Sequence, residues 1–78
     1  MIDYHYVLVP EKGDRIRSLL DYQRKDVAVR LGQTFAEVHS RNTNMDVELQ
    51  VLVRQKTPNL SFERVVHVET ISFIRMEA

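Results

Sequence analysis

Apolar and polar positions alternate with changing period along this chain. Tyr4 to Val9 is a short β-favouring run, closed by Pro10 and Gly13. The period then changes. Ile16, Leu19, Leu20 and Gln23 fall at i, i+3, i+4 and i+7, with Asp14 placed to cap a first turn, which predicts a short amphipathic helix. Arg17 with Asp21, and Asp21 with Lys25, would be i,i+4 pairs on its outer side. From Val27 the period is two: Val27, Val29 and Leu31 alternate with Ala28 and Arg30. Gly32-Gln33 then predicts a tight reversal, and Thr34 to His39 a returning strand. Phe35 and Val38 would lie on opposite faces of that strand, unless a bulge intervenes.

The clearest strand follows. Val47, Leu49, Val51 and Val53 point one way, while Glu48, Gln50 and Arg54 point the other, with Leu52 the exception. Lys56-Thr57-Pro58-Asn59 predicts a turn. Leu60 to Val68 and Ile71 to Met76 predict two further strands, separated by a break at Glu69-Thr70. Both are apolar on both faces, through Val65, Val66 and Val68, and through Ile71, Phe73 and Ile74. Strands of that kind are usually covered on both faces. Either the N-terminal strand or the helix supplies the second cover, or a neighbouring chain does.

Composition sharpens the second possibility. A chain of 78 residues forms one domain, and small cores rarely contribute more than about 3–5 kcal/mol alone, so a partner is a common remedy. Cysteine is absent, which excludes a disulfide framework and Cys-ligated zinc. Eleven Lys and Arg balance eleven Asp and Glu. Nucleic-acid binders usually carry a basic excess, because phosphate neutralisation supplies most of their affinity. No apolar run approaches the roughly 18 residues of a membrane span, and the N-terminus does not read as a signal peptide.

Catalytic chemistry is not suggested. Ser18, Ser40, Ser61 and Ser72 show no nucleophile-elbow motif or recognisable spacing to His5, His39 or His67. The histidines fall in three separate predicted strands without metal-ligand spacing. Two glycines cannot build a phosphate-cradling loop. Enzymatic activity, a cofactor and a metal are therefore not expected.

A helix followed by five strongly bent strands is the element order of the Sm and Sm-like fold. Lys25 to Leu31 resembles that family's opening strand, Asn42-Thr43-Asn44-Met45-Asp46 its loop, and Val65 to Ile74 its closing motif and last strand. The base-holding positions depart from the pattern. Asp46 stands at the loop asparagine and is acceptor-only when ionised, while His67 and Val68 stand at the Arg and Gly positions. Losing one base-reading pair typically costs about 1–3 kcal/mol. Among RNA-blind members the chain is most similar to the Gemin seven family, Sm-like subunits of the survival-motor-neuron (SMN) complex. Arg17-Ser18-Leu19-Leu20, Asn44-Met45-Asp46-Val47, Thr57-Pro58 and Ile71-Ser72-Phe73 carry that similarity, in order, from about Arg15 to Arg75.

The resemblance implies a mainly β, Sm-like fold: a short N-terminal α-helix leading a strongly bent five-stranded antiparallel sheet. Residues 1–12 would be an extended arm and residues 13–78 the Sm-like domain. It implies a non-catalytic scaffold in cytoplasm and nucleus that supports assembly of Sm proteins onto spliceosomal small nuclear RNAs. Its partners would be a Gemin six type subunit, a Gemin eight type subunit and Sm proteins, without direct RNA binding, in an obligate or near-obligate heterodimer. Leu60, Phe62, Val65, Val66, Val68, Ile71, Phe73 and Ile74 would form the strand-pairing interface, and Ile16, Leu19 and Leu20 a second one. Asn42, Asp46, His67 and Val68 would be the degenerate RNA site. Two alternatives stand beside this reading. One is an RNA-binding, Hfq-like ring in which Arg41 or Arg75 compensates for the missing contacts. The other is an α+β adaptor whose first strand, helix and Val27–Leu31 make a βαβ unit with Val7 beside Val29.

Overall fold

A computed structural model describes residues 2–72. The chain is mainly β: one helix lies on a four-stranded antiparallel sheet. Strand β1 spans Ile2–Pro10, β2 Ile16–Arg17, α1 Lys25–Thr43, β3 Val47–Thr57 and β4 Leu60–Ile71. The sheet order is β2-β1-β3-β4. Residues 2–10, whose role the sequence leaves open, are an inner strand paired with β3 from Ile2↔Gln55 to Pro10↔Val47. Because β1 is antiparallel to both neighbours, β2 and β3 run the same way and α1 crosses between them.

The expected helix over Ile16–Gln23 is not formed. Ile16–Arg17 pairs with β1, and Tyr4 and Tyr22 exchange two backbone hydrogen bonds of 2.7 Å. Ser18 holds the segment down: its N–H donates to the Tyr6 carbonyl at 2.9 Å, its Oγ accepts from Tyr6 N–H at 3.2 Å, and that Oγ donates to the Leu20 carbonyl at 3.0 Å. A serine hydroxyl competing for backbone groups is the usual reason this residue disfavours helix interiors. Asp21 adds a charged tether, with Oδ2 3.7 Å from Arg54 Nη1 and Oδ1 3.6 Å from Arg17 Nη2.

Val27–His39 also differs from the expected pattern. The two strands and the Gly32-Gln33 reversal expected there are one continuous helix. The buried residues of α1 are Ala28, Gly32, Ala36 and Ser40, one small side chain per turn, so the helix axis approaches the sheet closely. A Cβ on Gly32 would meet Leu49 Cδ1 at 2.5 Å and Tyr6 Cβ at 3.2 Å. Gly32 is therefore a packing glycine. The helix ends at Asn44, left-handed at φ 59°, whose N–H donates to the Ser40 carbonyl at 2.8 Å. Asparagine tolerates that conformation better than most residues.

Val47, Leu49 and Val51 from β3 and Tyr6 and Leu8 from β1 form the core under this stripe. The opposite sheet face carries no layer among the described residues. The turn at Pro58-Asn59 agrees with the sequence, but the expected break at Glu69-Thr70 is absent: β4 continues to Ile71. Phe73 and Ile74, and most of the strand expected over Ile71–Met76, lie outside the described residues. A leading helix and five strands are not seen in residues 2–72, and neither is a parallel Val7–Val29 contact, since β1 pairs antiparallel with β3 while Val29 sits in α1.

Candidate protein-interaction site

The two edges of the sheet differ sharply. On one side β2 is two residues long and the chain then departs from strand geometry. On the other, β4 presents twelve residues with no strand beside it among the described residues. Its ladder to β3 slips once: Val51 pairs with His67 and Leu52 with Val65, leaving Val66 as a bulged residue. The slip explains the two-sided apolar pattern. Up to Val65 the odd-numbered residues face away from the helix, while beyond Val66 the even-numbered ones do. Val65 and Val68 therefore share the uncovered face, with exposures of 42% and 55%, while Val66 packs toward the core.

Leu60, Phe62 and Arg64 point to the helix side of the sheet, across from Thr57, Gln55 and Val53. Leu60 and Phe62 remain exposed. Ile71 is half-buried beside Val47. The edge is thus apolar at intervals and open among the described residues. Natural sheets usually blunt such an edge, because unpaired N–H and C=O groups template pairing with other chains.

A charged cluster ties the uncovered face together. Arg54 donates from Nε to Glu63 Oε1 at 3.0 Å and also meets Asp21. The Glu63 hydrogen bond raises the Arg54 pKa above its ordinary value. His5 lies buried on this face, with Nδ1 unpartnered among the described residues. Burial lowers its pKa below 6.5, and the nearby Arg17 charge lowers it further. The unfolded chain then takes up the His5 proton before the folded one, so His5 favours the native state fully above about pH 6.5 and progressively less as pH falls toward its folded pKa. The melting temperature of the chain is expected to drop between about pH 7.5 and 5.5, and to drop less in His5→Gln. An equal slope in both proteins contradicts this assignment.

A second open feature flanks α1. Ile16, Leu19 and Leu20, expected together as a second interface, are brought together here, although on an irregular segment. They rim an apolar groove of about 760 Å³ with Phe35 and Val38 of α1 above a floor of Tyr6 and Leu8. Leu19 is 99% exposed. Tyr6 stacks between Tyr22 and Phe35, with ring centroids 6.4 and 6.0 Å away. The helical periodicity expected for Ile16–Gln23 located these apolar residues but not their setting.

The four positions of the degenerate RNA site are not assembled into one pocket. Asn42 lines the groove at the β1–β2 side, whereas His67 and Val68 lie on β4 at the opposite edge and on opposite faces. Asp46 accepts a hydrogen bond from Ser72 Oγ at 2.7 Å, and its backbone N–H donates to Glu11 at 2.9 Å. The described residues contain no group of three or more His, Asp or Glu side chains arranged to hold a metal ion, and no helix long and apolar enough to cross a membrane. No protein-family model, curated protein or solved structure matches this chain.

Proposed function

We propose that this chain is a non-catalytic assembly module that accepts another polypeptide's strand along the outer edge of β4. The observation that carries this reading is the twelve-residue edge with Leu60, Phe62, Val65 and Val68 exposed on it. In such β-augmentation, main-chain hydrogen bonds supply affinity and alternate side chains supply selectivity. The short, interrupted β2 edge offers no comparable length. The narrower reading, an Sm-like subunit of the SMN complex with Gemin-type partners, rests on the sequence resemblance alone. The order strand, strand, helix, strand, strand lends that family no support. An RNA-binding ring gains no support from the balanced charge and the separated Asn42 and His67.

Panning displayed extended peptides of about ten residues against the full chain tests the proposal. Binders are expected to protect alternate β4 amides from hydrogen exchange. Affinity should fall at least about tenfold in V65K/V68K, because lysines beside an edge oppose pairing. Both side chains are exposed, so the variant should fold. If no displayed strand protects β4, or if the lysines leave binding unchanged, the edge is not the binding surface.

A further inference from the structure

The β4 edge is complementary to itself, and we propose that its occupant is a second copy of this chain, paired antiparallel about a two-fold axis between Val66 and His67. The inference rests on the edge reading above and adds the partner and the register. Residues opposed across an antiparallel ladder must share a face of the sheet. In an unbroken strand, a two-fold pairing meets that condition only where opposed positions are both odd or both even. The bulge at Val66 reverses the phase, so on either side of it an odd position must oppose an even one. The axis must then fall between two residues near the bulge.

Few registers satisfy this rule, and one fits. With the axis between Val66 and His67, Val65 opposes Val68 of the second copy, Phe62 opposes Ile71, and Arg64 opposes Glu69. Glu63 then meets Thr70. Each pair lies on one face, as the β3 partners define it. Moving the axis back by one residue sets Phe62 against Glu69, Glu63 against Val68 and Arg64 against His67. Moving it forward sets Arg64 against Ile71 and Val65 against Thr70. Both alternatives lose the charge pair and the valine pair together.

The charges are available for this role. Arg64 is exposed and makes no ion pair with any described residue. Glu69 accepts from Gln33 Nε2 through Oε1 at 2.7 Å, while its Oε2 lies 3.6 Å from His67 Nε2, beyond hydrogen-bond range. One carboxylate oxygen thus remains to receive the guanidinium. Two-fold symmetry makes every contact twice, so the Arg64–Glu69 pair occurs at both ends of the bulge. The product is one sheet continuous through both copies, with both helices on the same side of it.

Sedimentation equilibrium of the full chain over a wide concentration range tests the proposal, together with R64E, E69R and the double exchange R64E/E69R. Each single variant sets two like-charge pairs across the ladder and should weaken the dimer by about tenfold or more, with recovery to within about threefold in the double exchange. The chain has no cysteine, so an equimolar mixture of V65C and V68C chains reports the register directly. A disulfide should form between the two variants and not within V65C alone. A chain that stays monomeric while displayed strands still protect β4 overturns self-pairing and leaves the edge reading standing. Loss of both sinks both. A dimer indifferent to R64E and E69R, or a V65C–V65C cross-link, overturns this register.

Discussion

Replacing Leu49 with alanine is expected to lower the unfolding free energy by about 2–5 kcal/mol, the range for removing a buried leucine whose site cannot collapse completely. Leu49 is fully buried in β3 and lies beneath Gly32 of α1, opposite Leu8 of β1. It touches both the helix and the sheet, the two layers that the described residues form. Small single-core domains retain few kcal/mol in total, so Leu49→Ala should leave a substantial unfolded fraction at room temperature. Urea unfolding followed by circular dichroism gives the test. A midpoint within error of the parent would mean that the helix is not seated on Leu49.

Gly32→Val should produce an effect of similar size from the opposite direction. The first added carbon already falls 2.5 Å from Leu49 Cδ1 and 3.2 Å from Tyr6 Cβ, and valine brings two more. Overpacking of this kind costs about 1–3 kcal/mol, and more where backbone must yield. The Tyr6 contact is close to the sheet backbone, so relief would require α1 to lift off. Gly32→Ala is the informative companion. In the parent, its helix-propensity gain of about 1 kcal/mol is set against the Leu49 collision. In a Leu49→Ala background the Leu49 collision is gone and the 3.2 Å contact with Tyr6 Cβ remains, so the same substitution should be clearly less costly than in the parent. A double-mutant cycle reads the coupling between the two sites. Independent, additive effects would contradict close helix–sheet contact.

These two positions also show what the sequence concealed. Strand β3 was legible because period-two alternation survives where one face is buried. The strand character of Tyr4–Val9 and Leu60–Val68 and the turn at Pro58-Asn59 were legible too, but not the continuity of β4 through Glu69-Thr70. Val27, Val29 and Leu31 alternate just as well, yet they belong to a helix. The competing signal was present: Ala28, Gly32, Ala36 and Ser40 recur at intervals of four and make a stripe narrow enough for close packing. Gly32 read as a turn because glycine usually punctuates, whereas here it makes room for Leu49. The error at Ile16–Gln23 has a different source. Apolar spacing favoured a helix, but Ser18 and Tyr22 spend their hydrogen bonds on β1, a choice that only the tertiary structure decides.

Of the candidate edge, the sequence showed a strand and its apolar residues but not their register. Continuous apolar character through Val65, Val66 and Val68 pointed to a strand covered on both faces. The bulge at Val66 accounts for the pattern instead, and no strand lies beyond β4 among the described residues. The bulge was not visible, because a phase shift on β4 appears only when β3 supplies the reference register. With the shift in place, Val65 and Val68 cease to be an anomaly and become one exposed face beside an open ladder. The Sm-like landmarks fall in unrelated elements: Lys25–Leu31 in the first turns of α1, Asn42–Asp46 at its end, and the described part of the last, Val65 to Ile71, along the edge. Short motifs ordered along a sequence do not fix the element that carries them.

Residue-resolved amide hydrogen exchange along β4, measured on the full chain at limiting dilution and again with a bound strand, tests the central claim most directly. The account requires every second amide of β4 to exchange rapidly in the dilute chain and to become protected on pairing. Uniform protection of β4 at limiting dilution would show that the chain already closes this edge itself, and would contradict the account.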